Sequence, residues 1–150
     1  MRKKVKHGVE AVLFRRKPLR FLVLHSRKQW KGWEFVKGGR NKKETELASL
    51  RREVREETGL RSFRLLCRLP VVSEFEWDEK TKRAAFNRER YTYSSIVSYL
   101  AEASAGRVRL DPLEHDAYKW VSAEQALKML RWPGPKRALR AALSVLRAGG

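Results

Sequence analysis

Cysteine is nearly absent from this 150-residue sequence. Cys67 stands alone, so no internal disulfide can form. It lies between Leu66 and Arg68 and reads as a strand residue, with no surrounding pattern for nucleophilic or redox chemistry. No apolar run is long enough to cross a bilayer. The basic start Met1-Arg2-Lys3-Lys4 leads into an alternating stretch, not into the apolar core of a signal peptide. The expectation is a cytoplasmic protein with no membrane partner. Internal repeats and linkers are also lacking, and a 42% hydrophobic fraction suits one globular domain over residues 1–150. Acidic residues are the remaining shortage: 17 Asp and Glu face 35 Lys and Arg, leaving a formal net charge of +18. That field attracts polyanions, among them nucleotides, polyphosphates and RNA, although a solvated basic surface explains the same composition.

Hydrophobic patterning predicts strands at Val9–Phe14 and Phe21–His25 joined by a turn at Arg15–Leu19. Residues 30–39 read as a loop with aromatic anchors and the glycines Gly32, Gly38 and Gly39. Asn41 reads as a helix N-cap, with Glu44 completing a capping box, and the helix runs to Thr58 before Gly59 stops it. Further strands are expected at Leu65–Val72, extended by Glu74–Trp77, then at Tyr91–Ala101 and Tyr118–Val121. A polar loop, Asp78–Arg90, lies between the first two. Ser122 and Gln125 open a helix to Leu130, Pro133 and Pro135 interrupt, and Lys136–Arg147 forms a last basic amphipathic helix. This mixture of strands and helices is an α/β arrangement in one piece.

The chemistry concentrates in one stretch. On a helix over residues 42–58, Leu47, Leu50, Val54 and Thr58 share the stripe that packs on a sheet. Glu53, Glu56 and Glu57 fall together on an adjacent face, since residues three and four apart are surface neighbours. Three like charges there repel, and a hard divalent cation relieves the repulsion. Carboxylate oxygen is the donor Mg2+ prefers, with waters and substrate phosphate completing its shell. Gly38 and Gly39 allow close backbone approach just before the helix. A solvated acidic face explains any single one of these glutamates, but not the whole set.

That set, Gly38, Glu44, Arg52, Glu53, Val54, Glu56, Glu57, Gly59 and Leu60, has the spacing G-x5-E-x7-R-E-U-x-E-E-x-G-U, with U an aliphatic residue. It resembles the signature of the Nudix hydrolases at every fixed position. The resemblance implies an α/β/α sandwich with a mixed β-sheet, the motif loop-helix at its centre, and hydrolysis of a nucleoside diphosphate linked to another group. It implies Mg2+, with Mn2+ as the alternative ion, held by Glu53, Glu56, Glu57 and the backbone carbonyl of Lys37. Arg52 would hold a motif carboxylate in place, at an offset that reaches Glu56 or the loop. Glu56, Glu57 and, from outside the motif, Glu114 are the candidates for the catalytic base.

Two further segments resemble the bis(5′-nucleosyl)-tetraphosphatase branch. Trp33-Glu34-Phe35-Val36-Lys37-Gly38-Gly39 is similar to its W-x-F-P-K-G-G/H segment, in which Lys37 would contact phosphate. Glu114-His115-Asp116-Ala117-Tyr118-Lys119-Trp120 is similar to its E-H-x4-W segment. Val36 stands where that branch has proline, and residues 39–43 lack its Pro-Gly turn. Tyr91 and Tyr93, two apart on an expected strand, share a face that could stack on a base, though cross-strand packing accounts for them as well. Trp33 and Trp120 lie near the expected cleft, while His25 and His115 read as structural. Hydrolysis of dinucleoside polyphosphates, with diadenosine tetraphosphate as the model substrate, is the leading expectation. An RNA 5′-end pyrophosphohydrolase, a nucleoside triphosphate cleanup enzyme and an RNA-binding module without catalysis are the competing ones. Oligomeric state is open.

Overall fold

A computed structural model describes residues 3–28 and 31–149. Trp30, expected as a loop anchor, and the first two residues of the basic start lie outside the described residues. Strand β1 (Val5–Arg15) is the spine. Its first half pairs antiparallel with β4 (Val36–Gly39), and its end pairs antiparallel with β2 (Arg20–Ser26) at Phe14↔Phe21 and Arg15↔Arg20. On the other side β1 runs parallel to β6 (Tyr93–Ala103), which pairs antiparallel with β5 (Phe63–Glu76). β3 (Trp33–Glu34) and β7 (His115–Val121) both pair antiparallel with β2. The sheet is therefore mixed, as expected.

Period-two alternation along β1 feeds two cores. Val9, Ala11 and Leu13 pack with Leu50 and Val54 of helix α1 (Glu46–Thr58). Val12 and Phe14 pack with residues of α3 (Ala123–Met129) and α4 (Pro133–Gly149) on the other side. Each fully buried Val, Leu or Phe among them contributes about 1.5–3 kcal/mol. Helices thus cover both faces of the sheet, giving the expected α/β/α sandwich.

Several local expectations need correction. Residues 33–39 are not loop but two short strands, because β1 and β2 offer free edges there. The cap of α1 is Thr45, whose hydroxyl accepts the Ala48 N–H at 3.1 Å. Asn41 and Glu44 instead close a turn upstream: the Glu44 N–H donates to Asn41 O at 3.0 Å, and the Asn41 N–H to Glu44 Oε1 at 3.3 Å. Leu47, expected on the packing stripe, sits in the first turn and is 37% exposed. At the other end Gly59 closes the helix as expected, at φ 72°, with its N–H on Arg55 O at 2.9 Å.

The polar loop after β5 holds a helical turn, α2 (Glu79–Lys82), capped by Asp78. Tyr91 precedes β6, so it does not share a strand face with Tyr93. Pro133 begins α4 and does not merely interrupt: proline has no N–H to lose at the first helical position. No helix among the described residues is long and apolar enough to cross a membrane.

Candidate active site

The register of β4 on β1 places Val9 opposite Gly38 and Glu10 opposite Lys37. Gly38 meets α1 at the Glu53 carboxyl: a Cβ built there would lie 2.0 Å from Glu53 Cδ and 2.2–2.3 Å from its oxygens. Only glycine admits that approach. It is the physical content of the glycine-to-glutamate spacing seen in the sequence.

Arg52 organises the carboxylates. Its guanidinium donates to both oxygens of Glu44 at 2.9 and 3.0 Å, to Glu53 Oε1 at 2.7 Å, to Glu56 Oε2 at 3.3 Å and to the Gly39 carbonyl at 2.9 Å. Glu44 also accepts the Ser49 hydroxyl at 2.8 Å. These hydrogen bonds, that from Arg52 first, hold Glu44 at about 2, well below the usual carboxylate range. Both expected contacts of Arg52, Glu56 and the loop, are present. Its main partner is Glu44, which the sequence pattern alone places in a helix cap.

Glu53 and Glu57 are both buried, whereas Glu56 is half exposed. Burial pushes both buried carboxyls upward, and for Glu57 the neighbouring Glu53 charge adds to the effect. The Lys37 N–H donates to Glu57 Oε1 at 3.4 Å. The Lys37 ammonium lies 3.6 Å from Glu34 Oε1, and the other Glu34 oxygen accepts from His115 Nε2 at 2.9 Å. Burial opposes charge on Glu34, but the His115 hydrogen bond and Lys37 outweigh it and draw its pKa down. The two segments that carry the branch resemblance thus meet at the Glu34–His115 hydrogen bond. Beneath them Glu10 is buried and accepts the Ser98 hydroxyl at 2.9 Å.

A cavity of about 210 Å³ opens among these groups. Glu53, Glu56 and Glu57 line it from α1, Lys37, Gly38 and Gly39 from β4, and Asp111 and Glu114 from the segment before β7. Lys6 and Lys28 complete the lining, and Lys28 pairs with Glu114 at 2.9 Å. Sequence reasoning missed Lys6, Lys28, Asp111 and Glu34, because no local pattern sets them apart from other charged residues of so basic a chain.

Tyr91 and Tyr93 do not line the cavity. Tyr91 packs on Trp77 with ring centroids 6.2 Å apart, and Tyr93 lies under Lys3 at 4.5 Å. Trp33 and Trp120 are engaged elsewhere, by His25 at 5.2 Å and Arg15 at 4.1 Å respectively. His25 bonds to Asp116 at 2.7 Å, and His115 is buried on Glu34, so both have the structural partners expected of them.

No three His, Cys, Asp or Glu side chains among the described residues already form a metal cage. The donor chemistry of the acidic face still suits a hard divalent cation: two buried carboxyls side by side on α1, with a third, Glu56, at the rim.

The NUDIX domain family model matches residues 5–142. The chain belongs to the NUDIX domain family. It is accordingly a pyrophosphohydrolase acting on acid anhydrides, in a family that generally uses divalent metal ions and binds nucleotide substrates. Solved structures agree on the fold. A C. elegans Ap4A hydrolase binary complex superposes with a TM-score of 0.74 at 22% identity, over 97% of this chain and 99% of that one. The E. coli dihydroneopterin triphosphate pyrophosphohydrolase gives a TM-score of 0.74 at 23% identity, over 92% and 96%. The NUDIX domain of Shewanella oneidensis NrtR, complexed with ADP ribose, gives 0.68 at 18% identity, over 97% and 90%. At these identities the likeness is one of fold. Among curated proteins no sequence matches significantly.

Proposed function

We propose that this NUDIX protein hydrolyses dinucleoside polyphosphates, with diadenosine tetraphosphate as the model substrate, and that Mg2+ is its ion. The observation that carries the reading is the cavity itself, where buried acidic groups of α1 face three lysines in a space of about 210 Å³. That volume is below the about 300–1,000 Å³ that whole small-molecule ligands fill. The cavity suits a phosphate chain, with the bases lying outside it. Support for the branch comes from the Glu34–His115 hydrogen bond, which ties together its two characteristic segments, each of which also sends a residue, Lys37 or Glu114, to the cavity.

Glu53, Glu56, Glu57 and the backbone carbonyl of Lys37 would hold the ion. When bound, it supplies charge neutralisation at a phosphoryl oxygen and orientation of the phosphate chain. The chain's own residues do the rest. Arg52 keeps Glu53 against Gly38 and ties Glu56 to the same network. Glu34 restrains the Lys37 ammonium beside the phosphates. One carboxylate among Glu56, Glu57 and Glu114, all of which line the cavity, accepts the proton of the attacking water. Hydrolysis of a panel of dinucleoside polyphosphates, nucleoside triphosphates, ADP-ribose and triphosphorylated RNA in 18O-labelled water tests this and identifies the phosphorus attacked. Preference for the dinucleotides, lost in Glu57→Gln, is expected; turnover of every panel member except the dinucleotides refutes it.

One observation favours a second reading, RNA 5′-end pyrophosphohydrolysis. Lys3, Lys4 and Lys6 stand over the rings of Tyr93, Tyr91 and Trp77 at 4.5, 5.6 and 5.9 Å, and such cation–aromatic surfaces suit single-stranded nucleic acid. A steep loss of rate with salt on RNA, absent with free dinucleotides, distinguishes the two.

A further inference from the structure

Two lysines of the cavity have no place in the motif. Lys6 projects from β1 beside Gly39, where an added Cβ would come within 2.9 Å of Lys6 Cε and 3.6 Å of its ammonium. Gly39 thus clears a path for this lysine. Lys6 is half-buried and pairs with no carboxylate among the described residues; the Trp77 ring, at 5.9 Å, is its recorded cation–aromatic partner. Lys28 reaches the same cavity from the end of β2 and rests on Glu114 at 2.9 Å. Folding has gathered two ammonium groups, one on β1 and one two residues past the end of β2, at a space too small for a nucleoside. Their mutual repulsion favours an anion between them.

We propose that Lys6 and Lys28 form an anion clamp that holds phosphates beyond those engaged at the acidic face of α1, and so selects substrates with three or more consecutive phosphates. The clamp deepens the anhydride-hydrolase reading and rests on it for the direction in which the phosphate chain runs. Burial and the Lys28 charge together lower the pKa of Lys6, as expected for a cation whose counter-charge is supplied from outside. Lys28 is held charged against burial by Glu114, so it presents an ammonium group at the cavity. Glu53 and Glu114 are the carboxylates whose fields reach Lys6, and neither bonds to it.

The test is calorimetric titration of the whole chain with inorganic tripolyphosphate in EDTA, so that no metal contributes. Wild type, Lys6→Gln, Lys28→Gln, Lys6→Arg and the charge-matched control Lys128→Gln, at an exposed position of α3, are compared, with thermal melts confirming folding. Loss of one charge-assisted contact corresponds to about tenfold in affinity. The expectation is about tenfold weaker binding in Lys6→Gln and Lys28→Gln, with Lys6→Arg and Lys128→Gln close to wild type. In turnover, KM for a four-phosphate dinucleotide rises about tenfold in Lys6→Gln while KM for the two-phosphate ADP-ribose holds. Tripolyphosphate affinity equal in Lys6→Gln and Lys128→Gln overturns the clamp even where the wild-type enzyme is active. An inactive wild type that still binds tripolyphosphate through Lys6 supports the clamp and overturns the proposed reaction instead.

Discussion

Replacing Gly38 by alanine separates the site's chemistry from its stability. The new methyl would stand 2.0 Å from Glu53 Cδ, so reaching an ordinary contact of 3.4 Å moves the carboxyl by about 1.4 Å. The obstacle is the far end of a flexible side chain, so Glu53 swings aside and β4 does not yield. The folding cost is then bounded by what the displaced carboxyl loses, chiefly the 2.7 Å bond from Arg52. A hydrogen bond to a charged group is worth about 1.5–3 kcal/mol. At about 2–4 °C per kcal/mol for a chain of this size, the melting temperature falls by about 3–12 °C and the protein stays folded at room temperature. Activity suffers far more, because about 1 Å of misplacement in a catalytic group costs about a hundredfold. Purified Gly38→Ala should therefore melt cooperatively within that window and lose about a hundredfold or more in kcat. A folded alanine variant with kcat within twofold of wild type would refute the claim that Glu53 acts from this position.

Three further outcomes follow from the same geometry. Arg52→Lys keeps the charge but loses the planar fork that reaches Glu44, Glu53 and the Gly39 carbonyl together, so kcat should fall about 10- to 100-fold; steady-state kinetics near wild type would remove Arg52 from the organising role. Burial raises Glu10 to about 7, so the folded state keeps a proton that the unfolded chain releases near 4.5. Glu10 thus favours the fold fully below pH 4.5, and that advantage of about 3 kcal/mol is lost as pH rises through 7. Urea melts of Glu10→Gln in metal-free buffer should show it gaining on wild type between pH 5 and pH 8, and parallel pH profiles would contradict the assignment. At Gly134 an added Cβ would meet Ser73 Oγ at 2.2 Å and Ser73 Cβ at 2.8 Å, so Gly134→Ala should cost about 1–3 kcal/mol by overpacking α4 against β5, measured as a lower urea midpoint.

What could be read from the chain follows from how local each signal is. The α1 motif was legible because its residues share one helix and one adjoining strand: Gly38, Arg52, Glu53 and Glu57 do meet, and Gly59 does end the helix. The strands of the sheet were legible from alternation, and β5 joins the two stretches expected to form it. The true cap was harder to place, since Asn41 and Thr45 both suit the position. What decided it was Arg52, eight residues beyond Glu44, which claims that carboxylate for the site. β3 and β4 were hidden because two- and four-residue strands carry no period of their own and exist through the edges of β1 and β2. Propensity favours a strand at Tyr91, but Asn87 draws its N–H into a turn at 2.9 Å. Lys6, Lys28 and Asp111 come from three distant stretches, and in a chain of 35 basic residues nothing local distinguishes Lys6 and Lys28 from the rest.

The central claim is that the buried carboxyls of α1 hold a divalent ion for a phosphoanhydride. Its most direct test is titration with Mn2+, followed by paramagnetic resonance, with and without a non-hydrolysable dinucleoside tetraphosphate, in wild type and Glu57→Gln. The account predicts ion binding that tightens when nucleotide is present and weakens at least tenfold in the Gln variant. Equal Mn2+ affinity in the two proteins, with nucleotide bound, would contradict it.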